Sequence, residues 1–378
     1  MILKYNSIGD IPPKQTMEGE GTIYFNPKEK YFRVLCGFWI SWFFKTTFCK
    51  TSLNTKEKLE AYLNHFLPYL KKGYELRFDG GLEPDLIWIN LKSTNILDTI
   101  LEYVERNKIP NKIFLQSGDY NFKNNTPKKY HSLLKPTCKF VHFPYKSLDY
   151  HFLESRTFYR KFFIAMKRPS EIRIDIFNRI TSSSELEESF YYSFNGTDEG
   201  PNLKVYPLER YLNKKNERRR YGSHGAHELH KTSFLHLISE TFFYKEYEVR
   251  FFSEKTFRPI LSFQPFVMIS HSHTLKKLKE FGFKTFSDWW DESYDTEEDD
   301  SKRINKIFEL IEHINTKSLD ELKDMYISMI PTLQHNFDLL HRDDIDEFLK
   351  PRGFFIKKHS DEQELDFKIN YKNLRYLM

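Results

Sequence analysis

At 378 residues the chain is long for a single hydrophobic core, so two domains of ordinary size are expected. Apolar residues make up 39% and charged residues 29%, a globular balance that excludes an intrinsically disordered chain. A formal net charge of +5 permits phosphorylated or nucleic-acid partners without requiring them.

The three cysteines, Cys36, Cys49 and Cys138, have no metal or redox spacing, which suits free thiols in a reducing cytoplasm. Residues 1–15 lack the apolar core of a secretory signal, and the most hydrophobic run, Val34–Phe44, is too short to span a bilayer. A cytoplasmic protein with no transmembrane segment is the expectation.

In chain order, Thr22–Phe25 is β-prone, and the aromatic stretch Tyr31–Phe48 predicts one or two core strands. Thr55–Leu70 predicts a helix, with Leu59, Tyr62, Leu63, Phe66 and Leu70 at helical spacing and Pro68 fraying its last turn. Glu75–Phe78 and Leu86–Leu91 read as strands around the turn Asp79-Gly80-Gly81, and Asn95–Asn107 as a second helix. Lys112–Gln116 is a strand that runs into the turn Ser117-Gly118-Asp119. Thr126–Leu134 reads as helix and Lys139–Phe143 as strand. This alternation predicts a parallel α/β layer, but no GxGxxG follows any strand, so it is no standard dinucleotide site. Tyr145–Arg160 reads as the hinge.

The second half opens with the buried strand Lys161–Met166, which delivers Lys167 and Arg168 at its carboxyl end. Arg173 follows near the start of a helix that reaches about Ile180. Ligands of open α/β sheets bind beyond the carboxyl ends of strands, so these cations suit a phosphate; a solvated basic turn explains them equally well. After the strand Tyr191–Phe194 comes a basic cluster of Lys214, Lys215, Arg218, Arg219 and Arg220, then His224, His227 and His230. The histidines lack supporting metal-ligating neighbours and read as part of a polar surface loop; the cluster suits a DNA backbone or is simply a charged loop.

Phe234–Ile238 is a strand ending at Ser239-Glu240-Thr241. Ser253 then fits a helix N-cap, although Thr256 three residues on leaves the reciprocal capping box incomplete. Glu254 and Lys255 fall at the first two helical positions, where free N–H groups and the helix dipole favour an anion. As an ordinary first-turn carboxylate Glu254 needs no ligand. A cation at the same place, Lys255, opposes the dipole and implies an anion nearby. The apolar run Pro265–Ile269 follows as a strand covered on both faces. Thr274–Phe281, Arg303–Ile314 and Leu319–Phe337 read as helices, and Asp291–Asp300 as a solvated acidic face. Trp289-Trp290 reads as core, with sugar stacking as the lesser alternative, and Asp344-Ile345-Asp346 falls in a charged, partly helical tail from Asp338.

The stretch FFSEKTFRPILSFQPFVMIS (Phe251–Ser270), followed by LKKLKEFGFKTFSDWWDESYD, resembles glycosyltransferase-like proteins of the GT-B architecture. It looks most like the fucosyltransferase-related group and its relatives in phage and bacterial genomes. FFIAMKRPSEIRIDIFNRI is similar to the strand–Arg–helix segment of that group, and LHLISET to its strand ending in Glu. The resemblance runs from Lys161 to about Ile314. It implies two Rossmann-like domains facing a cleft, with C-terminal helices. Residues 1–150 are expected to form the acceptor-side α/β domain, 151–337 the nucleotide-sugar-binding domain and 338–378 the charged, partly helical tail.

The implied activity is transfer of a sugar from a nucleotide-sugar co-substrate to an acceptor hydroxyl, without metal or other cofactor. By position, Glu254 would bond the ribose, Lys255 the diphosphate, and Lys167, Arg168 or Arg173 the second phosphate, with Ser253 at the helix start and Glu240 near the sugar. A carboxylate or histidine base is needed, and Asp119 and His142 are the candidates. The acceptor is a glycan or, as second choice, a hydroxymethylated base in DNA held by Lys214–Arg220. A non-catalytic nucleotide- or DNA-binding protein on a transferase-like fold is the alternative, and an interaction protein with no ligand is the third reading.

Overall fold

The computed structural model describes residues 23–36, 40–49, 55–80, 87–119, 125–138, 153, 156–166, 170–194, 227–246, 250–342, 355–356 and 363–365. The protein is mixed α/β with two sheets made largely of parallel strands. It divides into two compact units. One comprises Asp10–Lys139, Glu248–Phe251 and Asp346–Met378, here the N-terminal unit. The C-terminal unit comprises Met1–Gly9, Phe140–Tyr247 and Phe252–Ile345.

The N-terminal unit opens with β1 (Ile23–Asn26) and β2 (Tyr31–Leu35), paired antiparallel. Helix α1 (Ile40–Phe48) follows, where an aromatic strand was expected. Its buried residues Ile40, Phe43, Phe44 and Phe48 recur at helical spacing, a period hidden in sequence because almost every neighbour is also aromatic. The expected helix 55–70 is two helices, α2 (Thr55–Asn64) and α3 (Leu67–Leu70). Pro68 lies in the first turn of α3, where its missing N–H costs nothing.

After β3 (Glu75–Asp79), the described part of the expected strand Leu86–Leu91 is likewise helical and not a strand. Helix α4 (Ile87–Leu91) buries Ile87 and Leu91, one turn apart. Next come α5 (Ile96–Arg106), β4 (Ile113–Ser117), a 3-10 helix Lys128–Leu133 within the expected helix Thr126–Leu134, and β5 (Leu134–Cys138). The expected strand 139–143 lies outside the described residues.

Strands β2 to β5 advance in one direction, each parallel to the last. One face carries Phe32, Leu76 and Ile113 in register, then Val34, Phe78 and Leu115, all within the apolar core that α1, α2 and α5 help to form. The other face carries Arg33, Arg77 and Phe114 in register. There Arg33 pairs with Asp79 at 3.3 Å and lies over Tyr24, Arg77 covers the Tyr31 ring, and Lys135 covers Phe114. The alternation Glu-Leu-Arg-Phe-Asp in β3 is the imprint of these two unlike faces.

The C-terminal unit runs β6 (Arg160–Met166), α6 (Glu171–Ile180), α7 (Ser184–Glu188), β7 (Phe190–Phe194), α8 (His227–Thr232), β8 (Ser233–Ser239), α9 (Glu254–Leu261) and β9 (Phe266–Ile269). Helix α10 (Thr274–Glu280), α11 (Asp300–Asn315) and α12 (Leu319–Leu340) complete it. Its four strands are all parallel in the order β7-β6-β8-β9, so the direction of travel reverses at β6.

Helices lie on both faces of this sheet. Phe177 of α6 meets Tyr192, whose face includes Ile164, Leu237 and Ser239 by register and alternation. His236, Ile238 and Glu240 point the other way, toward α8 and α9. Double cover explains why β8 and β9 are buried at every position.

Two short strands from the end of the chain, β10 (Phe355–Ile356) and β11 (Gln363–Leu365), join the N-terminal unit. The first pairs with β5 and the second with β1, where a partly helical tail was expected. Edge strands this short owe their conformation to the partner strand more than to their own propensity, so local sequence does not announce them.

Candidate functional site at the carboxyl edge of the second sheet

Helix α9 starts where expected, with Ser253 as N-cap; its hydroxyl accepts from the Lys255 N–H at 3.2 Å. The glutamate that a capping box would place on the helix comes instead from the end of β8. Glu240 accepts from the Ser253 N–H at 3.2 Å, the Ser253 hydroxyl at 2.6 Å and the Thr256 hydroxyl at 2.6 Å. Its own N–H donates to Ile269 O, which extends the sheet by one rung. Glu240 is only 2% exposed and Thr256 fully buried.

Lys255 Nζ donates to Ser253 Oγ at 3.2 Å, so one hydroxyl links the cation to the buried carboxylate. The anion that a first-turn lysine implies is therefore present within the chain. That role of Glu240 and the part of Thr256 were not foreseen. The available signal was a glutamate just past a strand end, followed by a Ser-x-x-Thr helix start.

The carboxyl end of α9 is equally fixed. Gln264 N–H donates to Pro259 O and Phe263 N–H to Ile260 O, a Schellman arrangement with Phe263 in the left-handed region at φ 47°. Phe263 O accepts from Arg156 Nη1 at 2.7 Å and from the Tyr326 hydroxyl at 2.9 Å. Arg156, 1% exposed, also donates to Ser262 O and to Lys231 O. Its partners are thus carbonyls at the carboxyl ends of α8 and α9, where the helix dipole is negative. Sequence reading left Arg156 inside the hinge.

The reversal of strand order puts the topological switch point between β6 and β8. At that edge α6 begins with Ser170 as an uncapped, extended N-cap and buries Arg173 in its first turn. Glu240 and the mouth of α9 follow β8 at the same edge. Of the expected site residues, the structure joins the donor-site residues Ser253 and Lys255 and the catalytic candidate Glu240 in one network. Glu254 opens α9, and its side chain, with all of Lys167 and Arg168, lies outside the described residues. So do His142 and the cluster Lys214, Lys215, Arg218, Arg219 and Arg220.

Asp119, just past β4 in the N-terminal unit, is 2% exposed and accepts from the Arg250 N–H at 3.1 Å. His230 is not in a surface loop: it lies in α8, buried, with Nδ1 2.6 Å from Gln264 Oε1, because this helix packs Leu229 and His230 toward Phe163. The stretch 291–300 is not a purely solvated face either. Asp295 caps α10 through the Leu275 and Lys276 N–H groups, and Glu292 accepts from Thr285 and Phe286. Burial raises the pKa of Asp295 despite those two N–H bonds. Trp290 is buried against Phe286, as a core residue should be.

Among the described residues no cluster of His, Cys, Asp or Glu could hold a metal ion, and no helix is long and apolar enough to cross a membrane. The chain matches no protein-family model and no curated protein.

Proposed function

We propose that the C-terminal unit binds a nucleotide-sugar and that the protein transfers the sugar to an acceptor hydroxyl, with the arrangement of two Rossmann-like domains that this reading requires. The observation that carries the proposal is the reversal of strand order between β6 and β8, with α6 and α9 both starting at that carboxyl edge. Helix N-termini and fixed cations are what a departing diphosphate needs when no metal neutralises its charge.

In this reading Lys255 and Arg173 contact the diphosphate, aided by Lys167 or Arg168, and Glu254 bonds the ribose. Glu240 acts as a positioning residue, because its oxygens are already engaged by Ser253 and Thr256. The base is Asp119 or His142, and the acceptor is a glycan or a hydroxymethylated DNA base approached by Lys214–Arg220. Isothermal calorimetry with UDP, GDP, CMP and dTDP checks the donor site. Binding of one of them, weakened at least about tenfold by Lys255→Ala, is expected for loss of one charge-assisted contact. Absence of binding to all four, or a mutant as tight as wild type, overturns it.

One observation favours a second reading, a non-catalytic binder on a transferase-like fold. Lys255 is linked through the Ser253 hydroxyl to the buried Glu240 carboxylate, so an anion lies near the α9 mouth without a ligand. Donor hydrolysis and transfer assays separate the two: a protein that binds nucleotide-sugar but never turns it over fits the second.

A further inference from the structure

His236 lies in the middle of β8 on the face that α8 and α9 cover. It is 4% exposed, and its Nδ1 has no hydrogen-bond partner. Phe163 of β6 packs edge-on to the ring at 4.9 Å, and His230 of α8 lies 4.8 Å away, centroid to centroid. The flanking strand β9 contributes Phe266 in register and no charge. Helix α9 brings Arg258, whose charge acts on the imidazole. The nearest acid on the same face of β8 is Glu240, and its oxygens are held by Ser253 and Thr256. The groups that act on His236 are therefore a second histidine and a permanent cation, with no carboxylate among them.

A neutral imidazole fits this setting as one more ring in the core. A charged one does not. It would sit in a buried layer beside Arg258, with no carboxylate among the described residues acting on it, and charge burial of that kind is among the most costly things a core can hold. The direct relief is to lift the covering helices so that water reaches the ring. Those helices are α8, held through His230 and Gln264, and α9, which carries Arg258 and starts at Ser253.

We propose that His236 is an acid-released latch for this layer: protonation of its ring unseats α8 and α9 from β8 and takes apart the Ser253–Glu240–Lys255 mouth. Whatever the carboxyl edge of the sheet binds is then released in mildly acidic conditions, with the N-terminal unit left folded. Burial first, then His230, then Arg258 hold the pKa of His236 well below the ordinary imidazole value of 6.5. Depressed in the folded state, such a group leaves stability whole above that value and removes it as pH falls from there toward the folded pKa.

The test is hydrogen exchange on the full chain from about pH 7 to about pH 5, corrected for intrinsic rates. Protection of α9 amides is expected to fall up to about tenfold per pH unit below about 6.5, while β3 and β4 amides keep theirs. His236→Gln, neutral throughout, is expected to abolish the loss. Should that variant fail to fold at neutral pH, His236→Phe decides, because a ring that takes up no proton is expected to abolish the loss in α9. Protection of α9 that is independent of pH in the wild type overturns the latch. So does a loss spread equally over both units, or a loss that persists in full in folded His236→Gln or, where that variant does not fold, in His236→Phe.

Discussion

Ser253 meets Glu240 twice, once through its N–H and once through its hydroxyl, so a strand end and a helix start thirteen residues apart are tied by one carboxylate. Removing that carboxylate leaves two buried hydroxyls and an N–H without their acceptor. Glu240→Ala is expected to cost about 3 kcal/mol and Glu240→Gln about half of that, since the amide keeps an acceptor oxygen. Urea unfolding followed by tryptophan fluorescence checks both, and equal stability of the three proteins would remove Glu240 from this role.

Arg156 is a buried cation whose described partners are backbone carbonyls and the Tyr326 hydroxyl. Its loss frees the carboxyl ends of α8 and α9 together. Arg156→Met is expected to cost on the order of 3 kcal/mol or more. Arg156→Lys should recover little, because an ammonium cannot span carbonyls on two helices as the guanidinium fork does. Thermal melts of the pair show whether charge alone suffices: a lysine variant close to wild type would mean that it does.

Phe263 sets backbone strain against packing. Phe263→Gly relieves a left-handed residue, worth about 1 kcal/mol. It also removes a buried ring stacked on Phe337 at 4.3 Å, a loss of about 3 kcal/mol or more. The net expectation is destabilisation by about 2 kcal/mol, and a stabilised glycine variant would mean that strain dominates.

In the N-terminal unit, Glu75 answers to acid in another range. Burial opposes its ionisation, yet Arg77 and Lys135 together hold its pKa below the ordinary value of 4.5. A lowered carboxyl pKa contributes stability above the ordinary value and loses it as pH falls through the folded one. Glu75→Gln is therefore expected to flatten the stability profile below about pH 4.5 without altering its slope between pH 5 and 6.5. Denaturant titrations at stepped pH separate the two ranges.

The buried pair Arg33–Asp79 gives a test confined to the same sheet. Asp79→Ala takes away the carboxylate that pairs with Arg33, whose side chain is 8% exposed, and a loss of about 3 kcal/mol is expected. The double variant Arg33→Met/Asp79→Ala should recover part of it. Urea midpoints for the three proteins decide the matter.

Much of this was legible where periodicity was clean. The alternating Glu75–Asp79 and the unbroken apolar Phe266–Ile269 differ because one sheet has unlike faces and the other is covered on both. The mouth of α9 was legible to the residue, since a serine cap before a polar first turn is local chemistry. Where every residue was aromatic, as in 40–48, the hydrophobic pattern had no polar phase to read, and a helix passed for a strand. The acceptors and donors around Glu240 and Arg156 were not legible. Their partners lie up to 170 positions away, and nothing short of the folded chain brings them together.

Both margins of the first sheet are completed late. Strand β1 waits for Gln363–Leu365 and β5 for Phe355–Ile356, so a nascent chain carries an open-sided sheet while everything between them is synthesised. Unpaired strand margins are templates for other chains. Synthesis of this protein thus leaves β1 and β5 as unpaired edges until Phe355–Leu365 has been made, and a chaperone that shields those edges would act in that interval.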